Sequence, residues 1–361
     1  MSWEDKLRVV EPYISGEQPK MDHMIKLNTN ENPYPASHAI KAALEAITTD
    51  KLSIYPNSDA EELRSALAKM WNLDDSQIFI GNGSDEVLSL SFLTFFNGQT
   101  PILMPDVTYP FYTTYADLYG IKYKKQPVDD TFHMQLQSYQ EENSGIIFCN
   151  PCNPTGIVEP LDFIDALLAS NSNSIVIIDE AYADFAGQTA IPLLDKYDNL
   201  IITRTFSKAR SLAGIRLGVA LGSPLAISKL YDVKNSFNSY CVDYVAQEVG
   251  LASINDQTLV DLNIAKIIAT RNWFGKELEK LGFVITDSQT NFVFIQSPLS
   301  SAKNLYEKMY EAHIIIRYWD KPRISNWVRI TIGTEEEMRN VLAFLAEFIQ
   351  QEKMNNSIGI N

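Results

Sequence analysis

The sequence predicts an α/β protein: a large domain built on a mainly parallel sheet, followed by a smaller α+β domain. Three observations carry this. Short, wholly apolar strands alternate with helical stretches through roughly the first 250 residues, the pattern of a parallel sheet buried on both faces. That alternation fades afterwards into one long helix and several isolated strands. The chain of 361 residues also exceeds what a single core usually serves.

In chain order, residues 1–30 carry mixed signals and are expected to form an N-terminal arm packed with the small domain. Helical spacing marks 36–48 and 59–70, with Asp59 as a plausible N-cap. Strand 77–80 precedes a helix over 84–96, and strand 101–104 precedes one over 109–119. Strand 145–149 leads through a Pro-rich turn to a helix over 160–169. Strands follow at 174–178, 200–203 and 217–222. The large domain is expected to span 31–250 and the small one 251–361. The latter reads as a helix over 255–281, strands at 283–285, 292–295, 314–316 and 328–330, and a final helix over 335–350. Residues 354–361 read as a frayed tail.

Composition narrows the function. The net charge of −15 disfavours nucleic acid, whose phosphates need clustered Lys and Arg. An anionic substrate would therefore depend on a few placed arginines rather than on the overall field. The start of the chain has no apolar segment of the signal-peptide kind, and no apolar run is long enough to span a bilayer. The expectation is a cytoplasmic protein without a membrane partner. Cys149 and Cys152 form a C-x-x-C, but no second such pair or paired histidines complete a metal site, so no metal is expected.

Ligands of an open parallel sheet sit at the carboxyl ends of its strands, and unusual polar residues fall there repeatedly. Gly81-Asn82-Gly83-Ser84-Asp85-Glu86 joins a strand to a helix and can cradle a phosphate, or simply cap the helix. Glu86 stands where a dinucleotide loop needs its third glycine, which disfavours a nucleotide-dependent oxidoreductase. Tyr109 follows the next strand, where a ring can stack on a planar cofactor or pack in the core. Asn153 lies in Asn150-Pro151-Cys152-Asn153-Pro154-Thr155-Gly156, a turn stiffened by two prolines; its amide can donate to a phenolate or make an Asx turn. Asp179 ends an apolar strand, where a carboxylate is costly unless paired, and Tyr182 lies three residues on. Last comes Thr205-Phe206-Ser207-Lys208, with Arg216 in Gly214-Ile215-Arg216-Leu217-Gly218. The lysine can form an imine with an aldehyde, while the hydroxyls and the guanidinium grip a phosphate beside it. Pyridoxal 5′-phosphate (PLP) is the cofactor that carries both groups.

With these motifs the chain resembles the fold-type I PLP-dependent aminotransferases, and among them the histidinol-phosphate aminotransferases. The resemblance runs from about Pro12 to the final helix. It includes Leu27-Asn28-Thr29-Asn30-Glu31-Asn32-Pro33-Tyr34, Tyr55-Pro56, Gly83-Ser84-Asp85-Glu86, Thr108-Tyr109, Asn153-Pro154-Thr155-Gly156 and Asp179-Glu180-Ala181-Tyr182, besides the two segments around Lys208 and Arg216. It implies a PLP transferase fold of type I and transamination of L-histidinol phosphate with 2-oxoglutarate. Lys208 would hold PLP, Asp179 pair with the ring nitrogen, Asn153 and Tyr182 bind the phenolic oxygen, and Tyr109 stack on the ring. Ser84 and Asp85 (through their amides), Thr205, Ser207 and Arg216 would hold the phosphate. Tyr55 would reach the cofactor of a neighbouring subunit, which makes a homodimer the functional unit. Tyr13, Asn30, Asn153, Arg317 and Arg329 would contact substrate. The chain departs from the pattern at Cys152, where relatives often carry Asn, and at Pro35, where they often carry Gly. Aromatic amino-acid aminotransferases and PLP-dependent phosphothreonine-type decarboxylases share the fold and are the alternative activities. A non-enzymatic regulator would be expected to add a basic DNA-binding segment, and the sequence has none.

Overall fold

The computed structural model describes residues 2–358. Its strands are β1 (Ile25–Lys26), β2 (Ile78–Asn82), β3 (Ile102–Pro105), β4 (Tyr123–Gln126), β5 (Ile146–Cys149), β6 (Val176–Asp179), β7 (Leu200–Thr205), β8 (Leu217–Gly222), β9 (Val284–Ile285), β10 (Phe292–Gln296), β11 (Ile314–Ile315), β12 (Arg317–Tyr318) and β13 (Val328–Thr331). Seven of them form the central sheet, in the order β2-β8-β7-β6-β5-β3-β4. Every residue of β3, β5, β6 and β8 is buried, so these strands read as unbroken apolar runs.

Strands β3 to β7 pair in parallel, as the alternation with helices requires. Strand β8 is the exception and runs antiparallel to both β7 and β2. The connection from Thr205 to Leu217 is too short for a crossover helix, so the chain must turn straight back. That turn carries Lys208. It leaves the lysine at the edge where β3, β5, β6 and β7 end.

The second sheet, β12-β13-β10-β9, is antiparallel throughout. The helices Gln257–Lys280, Ala302–Glu311 and Glu335–Ile358 accompany it, and Ile267, Phe274, Phe292, Ile330 and Leu345 fill a core between these elements. Strand β1 pairs in parallel with β11, tying the N-terminal arm to this unit. Tyr182, Phe185 and Ala209 of the larger unit share the same apolar cluster, so the two units meet beside the Lys208 turn.

The helix expected over 255–281 stands as Gln257–Lys280. The helix Tyr244–Asn255 before it, set off at Asp256 by a non-helical backbone (φ −116°, ψ 50°), was not anticipated. Strand β4 and the helix Pro224–Phe237 were not anticipated. Strand β4 lies at the sheet edge with Lys124 and Lys125 exposed and so lacks an apolar run. Asp59 is not an N-cap: Ala60 takes the left-handed conformation (φ 47°) before the helix Glu61–Trp71, and Asn57 Oδ1 accepts from the amides of Asp59 and Glu61. The Asp59 carboxylate instead faces the buried Lys234 ammonium at 3.3 Å. The supposed tail continues the last helix to Ile358, because Gln, Glu, Lys and Met are all good helix formers and no glycine intervenes before Gly359. Residues 359–361 of that tail lie outside the described residues.

Candidate active site

One cleft at the carboxyl edge of the central sheet gathers every site residue expected from the sequence except Tyr55. One end of it is built by close backbone approach. Gly83, at the start of the helix Gly83–Phe95, has φ +82°, and a Cβ there would lie 2.7 Å from Arg216 Nη2. A Cβ on Gly218 would lie 2.3 Å from the Gly83 carbonyl carbon. Only glycines let β8 reach this helix N-terminus, where Ser84 and Asp85 stand. Across the gap, Thr205 Oγ1 donates to Ser207 Oγ at 3.0 Å, and the Ser207 amide donates to Thr205 Oγ1 at 3.1 Å. Arg216 Nη2 lies 3.1 Å from Asp85 Oδ2, which fixes the guanidinium over the helix start.

The opposite end is acidic and buried. Asp179, the last residue of β6, is buried and accepts from the Tyr112 hydroxyl at 2.9 Å and the Ala181 amide at 3.1 Å. Burial pushes its carboxyl up to about 6 despite these donors. Among the described residues no cationic side chain forms an ion pair with it. Between the two ends, Lys208 Nζ donates to the Thr29 carbonyl at 3.1 Å. Burial, reinforced by the Arg329 charge, lowers its ammonium to about 8. Tyr109 donates to Asp85 Oδ1 at 3.2 Å and is held between Phe111 and Tyr112.

The third side comes from the arm and the small sheet. Asn30 Nδ2 donates to Tyr182 Oη at 2.8 Å, and its Oδ1 accepts from Thr331 Oγ1 at 3.0 Å. Tyr13 stacks on Phe111 at 4.2 Å. Arg317 donates to the carbonyls of Ser15 (3.1 Å) and Ile14 (3.0 Å), which fastens the arm over the cleft. Arg329 is buried and donates to Asn153 Oδ1 at 2.6 Å and to the Asn28 carbonyl at 2.8 Å. Its Nε is buried with no partner, and among the described residues no carboxylate forms an ion pair with this guanidinium. Burial pulls Arg329 down to about 10, and the nearby Arg317 charge adds to the shift.

These groups fit PLP by their chemistry. A buried carboxylate without a counter-cation suits a pyridinium, an amine held near neutrality suits an aldehyde, and two hydroxyls with an arginine at a helix N-terminus suit a phosphate. Tyr55 does not line the cleft: it is 78% exposed and stacks on Tyr240 at 4.6 Å. Sequence reasoning missed Tyr112 and Thr29. Tyr112 lies three residues beyond Tyr109, a spacing that could have flagged it. Thr29 touches Lys208 across 179 positions, and no local pattern announces that contact.

The profile of the family described as aminotransferase class I and II matches residues 22–345. The histidinol-phosphate aminotransferase of Lactococcus lactis subsp. cremoris (strain MG1363) is 54% identical to this chain, with 98% of this chain and 99% of the relative covered. That of Acinetobacter baylyi (strain ATCC 33305 / BD413 / ADP1) is 43% identical, over 96% and 97%. In fold, the chain is similar to the solved histidinol-phosphate aminotransferase of Sinorhizobium meliloti in complex with PLP (TM-score 0.82, 24% identity, 91% of each chain).

Proposed function

The chain belongs to the class I and II aminotransferase family, whose enzymes depend on PLP, and we propose that it moves the amino group of L-histidinol phosphate to 2-oxoglutarate. The products are imidazole acetol phosphate and glutamate, and the step belongs to histidine biosynthesis. Relatives bearing that activity in their names support the reading. The observation that carries it is Arg329, a buried guanidinium with no carboxylate paired to it among the described residues, lining the cleft that also holds Lys208. An unpaired buried cation is costly, and a substrate anion relieves it.

PLP, when bound, supplies the electron sink for the carbon that loses its proton. Lys208 would hold the cofactor and serve as base and acid. An amine near 8 is partly neutral at physiological pH, so Nζ can take the α-proton and give it back. Asp179 would keep the ring nitrogen protonated through a buried ion pair. Asn153 and Tyr182 would bind the phenolic oxygen, and Tyr109 would pack against the ring. Ser84, Asp85, Thr205, Ser207 and Arg216 would hold the phosphate. Tyr13, Asn30, Asn153, Arg317 and Arg329 orient the two anionic substrates, which use the site in turn.

The same proposal includes a cytoplasmic homodimer, with an arm (1–30), a large domain (31–250) and a small domain (251–361). Tyr55, exposed and outside its own cleft, supports a role in a neighbour's site. Purified protein given histidinol phosphate and 2-oxoglutarate should form glutamate faster than with aromatic amino acids and release no carbon dioxide. Preference for an aromatic donor, or carbon dioxide from a phosphorylated amino acid, would overturn the assignment.

A further inference from the structure

Trp319 stands where the two cleft arginines and the larger unit meet. Its ring centroid is 5.2 Å from the Arg329 guanidinium carbon and 5.3 Å from that of Arg317. Phe292 presents a second ring to Arg329, also at 5.2 Å. Two like charges in one cleft repel each other, and a ring face attracts both. One indole within reach of both guanidiniums therefore holds them close without a carboxylate that would compete with substrate.

The indole is itself held. Trp319 follows β12 and opens the loop to β13, yet it packs, like Ile324 in the same loop, against the core of the larger unit. Arg323 pins that loop. Its Nη1 lies 2.8 Å from Asp106 Oδ2 and 2.9 Å from the Val128 carbonyl, and its Nη2 lies 2.9 Å from the Asp129 carbonyl. Asp106 follows β3 and is also engaged by the Val128 amide at 3.0 Å, so the receptor for Arg323 is built beforehand.

We propose that Trp319 is a positioning residue for anionic substrates: its indole sets Arg317 and Arg329 as a pair, and Arg323 latches the loop that carries it to the large sheet. The inference rests on the reading of those arginines as the substrate-anion site. Its test uses holoenzyme and two probes, inorganic phosphate and 2-oxoglutarate, with dissociation constants measured by calorimetry and steady-state constants measured alongside. Trp319→Leu should weaken both probes about tenfold and raise KM to match, with kcat changed less than about twofold. Trp319→Phe keeps a ring face and should stay within about threefold of the parent. Arg323→Ala should weaken binding as well, and the double variant should bind no worse than about twofold below Trp319→Leu alone, because both act through one indole. Unchanged constants for Trp319→Leu, an equal loss for Trp319→Phe, a fall in kcat as large as the rise in KM, or additive losses in the double variant would overturn the proposal. A parent enzyme that binds both probes but leaves histidinol phosphate unreacted refutes the substrate assignment alone and leaves this test standing.

Discussion

Asp179 is a buried carboxylate at the end of β6 whose donors do not compensate its burial, so its carboxyl sits near 6 rather than the usual 3.8. A folded-state value above the unfolded one means that the folded protein binds the extra proton. Stability from this group is therefore present below about pH 4 and lost as pH rises to about 6. Without cofactor, Asp179→Asn should raise the stability of the protein at pH 7 by about 3 kcal/mol, and the gain should vanish near pH 4. Thermal melts of cofactor-free protein at the two pH values measure this, and a loss of stability at pH 7 would contradict it. The same variant loaded with PLP should turn over at least about a hundredfold more slowly, since a buried ion pair broken from one side costs roughly 3–5 kcal/mol. Lys208 shifts the opposite way. Its ammonium, lowered to about 8 by burial and Arg329, gives up its proton more than two pH units before a free lysine would. Capture of added PLP by cofactor-free protein should accelerate as pH rises through about 8 and level off above it. A rise continuing toward 10.5 would show an ordinary surface amine.

At the level of elements, the junction between β8 and the helix Gly83–Phe95 shapes the proposed phosphate site. Gly218 faces the Gly83 backbone so closely that a methyl group has no room. Both neighbours are backbone, which cannot rotate away as a side chain would. Gly218→Ala should therefore push β8 off the helix start and weaken PLP binding by at least about tenfold, beyond any loss of global stability. Equilibrium dialysis of PLP checks it, and unaltered affinity would show that the junction yields. The sheet itself was legible from sequence because buried strands are apolar throughout, and each expected strand stands within a few residues of its position. The direction of β8 was not. An apolar run reports burial on both faces and nothing of polarity along the strand, so Leu217 to Gly222 read as a strand of no stated direction. Asp59 misled for a related reason: an acid before a helix suits a cap, but here the buried Lys234 claims the carboxylate.

Across the whole molecule, the arm, the large sheet and the small sheet each supply one wall of a cleft that none of them forms alone. Tyr55 stands apart on the surface, and if it completes a neighbour's site then two defective chains should repair each other. Lys208→Ala and Tyr55→Ala proteins, each impaired alone, should regain activity when mixed and re-associated. The mixed pair contains one site with an intact lysine and an intact partner tyrosine. No gain over the sum of the parents would refute the shared site.

The chemistry was readable in one dimension: a lysine between hydroxyls, an acid ending an apolar strand, an asparagine braced by prolines and an arginine near a glycine turn, all at strand ends. Those signals are local, since strand burial and turn geometry are dictated by neighbouring residues. Packing alone decided that Thr29 receives the Lys208 amine, that Arg329 is left without a carboxylate among the described residues, and that Trp319 lies between two arginines. Such contacts join residues far apart in the chain, and their energies depend on burial and distance, which exist only once the chain has closed on itself.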